Sequence, residues 1–186
     1  PFISKEIYYT SDGMHGGIGY TEHMFDGRGD ERAREKQISL RMARAEGLDI
    51  VFNQVANKDN RVLDYQYFVP GGGEHPASKG SPDVKLLIGQ EYRPPFYGHM
   101  SFLGLRDHLI SPFTTGYEGT AIESLYPSNT DMLRKARAQG ALTGYVHAFS
   151  GDRDPLETSL GVGKSFPVDA ALGTVHTLEW SAASRA

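Results

Sequence analysis

A carboxylate and two imidazoles stand beside apolar segments in the middle of this chain. Glu91 ends one apolar run, His99 opens another, and His147 ends a third. The C-terminal ends of parallel strands meet at one face of an α/β barrel, so these side chains are expected to converge there. Carboxylate oxygens and imidazole nitrogens are ligands that Zn²⁺, Mn²⁺ and Fe bind in proteins. The three residues therefore predict a divalent metal site.

Each of the three residues also has a structural explanation. A glutamate at the end of an apolar strand is costly to bury without a cation, but a salt bridge from Glu91 to Arg93 or Lys58 would serve as well as a metal ion. His147 would then be a partly buried histidine bonded to a backbone carbonyl. For His99, which follows a glycine, the spacing favours neither interpretation.

Further polar residues follow other predicted strands. Asn57 and Lys58 come just after the strand predicted at 48–52, where a lysine could stabilise an anionic substrate or oxyanion. A solvated loop lysine is the ordinary alternative. Glu179 resembles Glu91 in its position near a strand end. Of the other histidines, His75 and His108 are expected in exposed loops, His176 within a strand in a structural role, and His23 in either role.

The elements that must position these residues alternate between strands and helices. Apolar runs predict strands at 48–52, 84–91, 99–105, 141–147 and 174–180, and helical periodicity predicts helices at 31–46 and 128–140. Strands that alternate with helical connections indicate a largely parallel sheet or barrel. No linker or repeat divides the chain, so residues 1–186 are expected to form a single domain, incomplete if the chain is a fragment.

Composition sets bounds on function. The 186 residues are 39% hydrophobic and 23% charged, which is typical of a globular domain. A net charge of −4 argues against nucleic acid as the main ligand. The chain has no apolar run near the roughly 20 residues that span a bilayer, so no membrane partner is expected. The absence of cysteine excludes disulfides and thiolate ligands.

The order and spacing of several short segments resemble the CehA/McbA family of PHP-like metal-dependent hydrolases. These segments are Ala56-Asn57-Lys58, Gly89-Gln90-Glu91, Gly98-His99-Met100, Leu103-Gly104-Leu105 and Gly144-Tyr145-Val146-His147. The resemblance implies a distorted (β/α) barrel with divalent metal ions at the strand mouths. It also implies that a metal-activated water hydrolyses a phosphoester, carboxylic ester or carbamate bond.

Carried over residue by residue, the resemblance places Glu91, His99 and His147 among the metal ligands and Asn57 and Lys58 in the catalytic machinery. The family also opens with two histidines separated by one residue. Here only one histidine, His15, is present, with Gly13 and Gly17 at the flanking alternate positions. His15 is thus predicted as a fourth ligand, unless His23 replaces it or the site is degraded.

The resulting expectation is a metal-dependent hydrolase that acts on a small molecule. Aromatic residues around the predicted site would suit a ring in the substrate. They include Tyr92, Phe96, Tyr97 and Tyr145. The alternative is a non-catalytic barrel, kept as a binding module after loss of the first histidine pair. The sequence leaves the oligomeric state and the compartment open.

Overall fold

The computed structural model describes residues 10–11, 40, 43–45, 47–58, 61–62, 65–81, 83–110, 121, 124–148 and 163–179. Within these ranges the strands are β1 (Thr10–Ser11), β2 (Ile50–Lys58), β3 (Arg61–Val62), β4 (Lys85–Tyr92), β5 (Met100–Leu103), β6 (Leu142–Tyr145) and β7 (Thr177–Leu178). The helices are α1 (Asn129–Ala138) and α2 (Phe166–Ala171), with short 3₁₀ helices at Tyr65–Tyr67 and Pro76–Gly80.

The described strands form one mixed, open sheet in the order β1-β2-β4-β5-β6-β7, with β3 paired to β2. β1, β2 and β4 are parallel, and β6 and β7 are parallel. β5 runs antiparallel to both of its neighbours, β4 and β6. The predicted (β/α) barrel is therefore wrong, because such a barrel is built from parallel strands that close on themselves.

The connection between β4 and β5 explains this error. It spans residues 93–99 and includes Pro94 and Pro95. A parallel neighbour would need a crossover of a dozen or more residues, usually a helix. The short connection instead returns the chain antiparallel, so that Tyr92 pairs with Met100. The apolar pattern located β4 and β5 in the sequence but carried no information about their relative direction.

One face of the sheet, here called the core face, packs against α1. Its main cluster comprises Tyr92, Met100, Phe102, Leu105, Ile110, Met132, Leu133, Ala136, Ala141, Tyr145 and Ala148. The rings of Tyr92 and Phe102 stack at a centroid distance of 5.9 Å. Helix α1 forms close to the predicted range 128–140: the Ser128 hydroxyl caps it by accepting from the Asp131 N–H at 3.2 Å, and Gly140 follows its end with φ of 82°.

A second apolar cluster extends the core face toward β2. It contains Leu40, Ala43, Leu48, Val51, Val84 and Leu86. Leu40 and residues 43–45 are helical, and Gly47 follows at φ of 70°. The rest of the helix predicted at 31–46 lies outside the described residues. Among the described residues, no helix combines the length and apolar character that crossing a membrane requires.

The opposite face of the sheet is here called the site face. Successive side chains of a strand point to opposite faces, so strand pairing assigns them. Gln54 pairs with Gly89, Glu91 with Ser101, and Ser101 with Gly144, which places all five on the site face. A Cβ on Gly89 would come within 2.8 Å of the Phe102 carbonyl, and one on Gly144 would overlap Thr177. Glycine at these two positions therefore allows neighbouring strands to approach closely.

Candidate metal site

Three of the four predicted ligands come together because β5 is antiparallel to its neighbours. Glu91 lies at the C-terminal end of β4, and His147 follows the C-terminal end of β6. His99 precedes β5, and the start of an antiparallel strand lies at the same edge of the sheet as the ends of its neighbours. The Val146 N–H donates to the His99 carbonyl at 3.3 Å and joins the two segments.

Glu91, His99 and His147 each offer one ligand atom, and these atoms all lie within 4.8 Å of one another. The Oε1 atom of Glu91 is 3.1 Å from Nδ1 of His99 and 3.9 Å from Nε2 of His147. The imidazole rings meet edge to face, with centroids 4.9 Å apart. Atoms that share one Zn²⁺ with bonds of about 2.0–2.2 Å lie roughly 3–4 Å apart, so both distances from Oε1 of Glu91 suit a shared ion.

The burial of the three residues is unequal. The Glu91 side chain is fully buried, whereas both imidazoles retain 16% of their accessible surface. Removing a carboxylate from water is strongly unfavourable unless a cation or hydrogen-bond donors compensate. The two histidines therefore form the accessible side of the group, and Glu91 forms its floor.

Arg93 provides a second cationic group beside the same carboxylate. Its Nε atom is 3.6 Å from Oε1 of Glu91, and its side chain is 10% exposed. The salt bridge to Arg93 that the sequence left open is thus present together with the histidines. It does not by itself exclude an ion, since one carboxylate oxygen can accept from several donors.

His147 has an unusual backbone conformation. Its φ is 35°, and no other non-glycine residue in the described ranges has a positive φ. A non-glycine residue held in this region costs about 1–3 kcal/mol and persists only where its surroundings enforce it. The Glu179 carboxylate does so in part by accepting from the His147 N–H at 2.9 Å. Glu179, a sequence candidate, thus contacts the backbone of His147 and lies outside the ligand group.

A buried hydrogen-bond network lies behind the histidines. Asn129 of α1 donates through Nδ2 to the Gly98 carbonyl at 3.0 Å and to the Tyr145 hydroxyl at 2.8 Å. The Tyr145 hydroxyl donates to Asp169 at 2.6 Å. Burial, and then the bond to Asp169, raise the pKa of Tyr145, so its hydroxyl stays protonated and donates. The network fixes the residue before His99 and the strand that leads to His147.

Sequence reasoning missed this network because Asn129 looks like part of a helix start. The apolar periodicity of α1 marks Met132 and Leu133 as core, yet Asn129 is equally buried, with 0% exposure. The first turn of a helix is where a short polar side chain is expected for capping, so its type gave no distinct signal. Asp169 in α2 is also buried, with 0% exposure, and its partner could not be deduced from spacing.

The remaining predicted site residues are not placed with the three ligands. Asn57 and Lys58 were expected just past the end of a strand at 48–52, which is wrong: they are the last residues of β2, and they pair with Val62 and Arg61. Because Ala56 pairs with Glu91, their backbone lies just beyond the level of that carboxylate. Their side chains, and all of His15 and His23, lie outside the described residues.

The aromatic residues expected around a substrate divide between two environments. Tyr92 and Tyr145 belong to the apolar cluster of the core face and are 0% and 1% exposed. They therefore stabilise the fold and face away from Glu91. Phe96 and Tyr97, in the loop between β4 and β5, are partly exposed and meet edge to face at 4.9 Å. Only this second pair stays available to contact a ligand.

Comparison with protein-family models, with curated proteins and with solved structures gives no match for this chain. The resemblance to the CehA/McbA family consequently stays a prediction from short segments. The functional interpretation rests on the local geometry of Glu91, His99 and His147 and on the chemistry of carboxylate and imidazole groups.

Proposed function

We propose that this protein is a metal-dependent hydrolase in which Glu91, His99 and His147 hold a divalent ion, Zn²⁺, Mn²⁺ or Fe²⁺. The observation that carries the proposal is the convergence of one buried carboxylate and two imidazoles, at or next to the ends of three strands, within 4.8 Å. Three protein ligands with one position left for water or substrate are typical of catalytic zinc sites. The segments that resemble the CehA/McbA family support the same assignment.

The donor set fits such an ion. Two neutral imidazoles and one carboxylate carry a net charge of −1, and the partly exposed histidines leave a side open to a small molecule. A bound ion supplies Lewis acidity, which acidifies water and polarises a carbonyl or phosphoryl oxygen. The scissile bond would be a phosphoester, carboxylic ester or carbamate. Lys58 would stabilise the developing negative charge.

A non-catalytic binding module is the second candidate, now on an open sheet in place of a barrel. The contact between Arg93 and Glu91 at 3.6 Å favours it, because a neighbouring guanidinium keeps a buried carboxylate ionised without a metal. In that case the histidines would be hydrogen-bond partners of Glu91. The two functions differ in how removal of the Glu91 charge changes Zn²⁺ affinity.

The variant Glu91→Gln separates the two candidates. If Glu91 is a ligand, Zn²⁺ affinity should fall about tenfold or more, since even changes outside the ligand set cost 10- to 100-fold. Apoprotein stability should fall in either case, because Arg93 loses its carboxylate partner, so Zn²⁺ affinity is the quantity that decides. Calorimetric Zn²⁺ titration and thermal unfolding of both proteins measure these effects. Lower apoprotein stability with unchanged Zn²⁺ affinity would contradict the metal site.

Arg93→Gln is the matched control on the other side of the same carboxylate. For a metal site, removal of this cation should leave Zn²⁺ affinity equal or higher, because like charges repel.

Chelator treatment should also abolish hydrolysis of a panel of phosphoesters, esters and carbamates, and added Zn²⁺, Mn²⁺ or Fe²⁺ should restore it. Hydrolysis that persists in the metal-free protein would show that the ion is not catalytic.

A further inference from the structure

Gln54 is a buried amide that the metal site does not use. It lies in β2 with 7% exposure, and neither its Nε2 nor its Oε1 atom has a hydrogen-bond partner within the described part of the chain. Leaving a buried polar group unpaired costs about 1–3 kcal/mol. Folded proteins seldom leave one without a reason, and an external ligand is one such reason.

The position of Gln54 relates it to the candidate metal site. It pairs with Gly89, two residues before Glu91, and therefore stands on the site face. Its Cγ atom is 3.6 Å from the point where a Cβ on Gly89 would stand. With about 3.3 Å per residue and about 4.8 Å between strands, the Cα atoms of Gln54 and Glu91 are roughly 8 Å apart. A ligand of a few heavy atoms spans that distance.

The chemistry of a primary amide limits what it recognises. Gln54 offers two N–H donors and a carbonyl acceptor. A primary carboxamide, which has one N–H on the same side as its C=O, satisfies both in a reciprocal pair. A phosphate dianion or an ester offers only acceptors and would leave Oε1 of Gln54 unpaired. The match of donors and acceptors therefore favours a carboxamide on the ligand.

We propose that Gln54 forms a specificity subsite that binds a carboxamide group of the ligand next to the metal site, an inference that rests on the proposed function. The carboxamide is a recognition group and need not be the bond that is cleaved. Sites built to pair a polar group reject analogues that lack it, because the groups of the site are then left unpaired. Gln54 would therefore contribute to selectivity and not to metal affinity.

Two probes test the proposal on the Zn²⁺-loaded full chain. Phenylacetamide carries an NH₂ next to its carbonyl, with one N–H on the same side as the oxygen, and phenylacetone has a CH₃ in its place. The wild-type protein should bind phenylacetamide about tenfold more tightly or better, the ratio expected from one unpaired buried group. Gln54→Met keeps the length of the side chain without the amide. It should bind both probes equally and keep wild-type Zn²⁺ affinity.

The outcomes separate this inference from the proposed function. A preference for phenylacetamide that survives in Gln54→Met, equal binding of the probes to the wild type, or no binding of phenylacetamide overturns the subsite and leaves the metal site standing. A preference that depends on Gln54 in a protein without Zn²⁺ affinity supports the subsite and overturns the hydrolase. Gln54→Leu, of similar volume, is the second variant should Gln54→Met not fold.

Discussion

The core face and the site face of the sheet differ most clearly at their two buried glutamines. Gln90 on the core face is 0% exposed, and its amide both donates to the Ile110 carbonyl at 3.0 Å and accepts from the Ile110 N–H at 2.6 Å. Gln54 on the site face is nearly as buried, but neither atom of its amide is bonded within the described ranges. A glutamine thus makes two structural hydrogen bonds on the core face, whereas on the site face its amide is the group proposed to bind a ligand.

The comparison extends to the residues around each glutamine. The core face packs apolar side chains against α1, where they exclude water and stabilise the fold. The site face brings a glycine, a serine and a buried glutamate side by side at Gly89, Ser101 and Glu91. Because β4 alternates between the faces, Gln90 and Glu91 are neighbours in sequence with separate roles. Substitutions on one face should change stability, and those on the other should change binding.

The largest effect is expected from Phe102→Ala on the core face. Phe102 is fully buried and stacks on Tyr92, so its truncation should lower the free energy of unfolding by about 3–5 kcal/mol. Ser101→Ala, one residue away on the site face, is the control and should change it by less than about 1 kcal/mol. Denaturant unfolding measures both. If both variants lost the same free energy of unfolding, the core face would not contribute more to stability than the site face.

A smaller effect should distinguish the two glutamines. Gln90→Leu leaves the N–H and carbonyl of Ile110 without their side-chain partner and should destabilise the protein by about 1–3 kcal/mol. Gln54→Leu removes an amide that has no hydrogen-bond partner among the described residues and should be neutral or stabilising. Thermal and denaturant unfolding of the two variants give the comparison directly. Similar destabilisation by both would show that the Gln54 amide is bonded in the native protein.

The sequence predicted the local elements of this fold better than their arrangement. Apolar periodicity and capping located α1 to within about two residues, as is usual for helix ends. The strand predicted at 48–52 in fact continues as β2 to Lys58. The prediction stopped too early because Asn53 and Gln54 are polar, although both are buried in the sheet. The direction of β5 depends on the connection over 93–99 and on pairing between distant segments. That information is absent from the periodicity of any one segment.

The convergence of the candidate ligands was expected for the wrong physical reason. A parallel barrel would gather Glu91, His99 and His147 at the C-terminal ends of strands, whereas here His99 lies at the start of an antiparallel strand. Both arrangements place the three at one edge of a sheet. The role of Glu179 could not be predicted, because it depends on the positive φ of His147, and β-branched or apolar patterning does not report a backbone angle.

The smallest expected effect concerns Glu179, which acts on His147 through the backbone. Its carboxylate accepts from the His147 N–H, and it is exposed, so Glu179→Ala should leave the thermal unfolding temperature nearly unchanged. Loss of this one hydrogen bond should let His147 leave its left-handed conformation and lower Zn²⁺ affinity about two- to tenfold. Nuclear magnetic resonance of the His147 amide should report the change even in the metal-free protein.

Glu179→Gln is the matched control, because its amide oxygen can accept the same hydrogen bond without the charge. It should keep the His147 amide shift and Zn²⁺ affinity close to wild type if Glu179 positions His147 by hydrogen bonding. A loss equal to that of Glu179→Ala would instead assign the effect to the negative charge of Glu179. An unchanged Zn²⁺ affinity in both variants would mean that the backbone angle of His147 does not control its imidazole, and that the site face forms its metal site independently of β7.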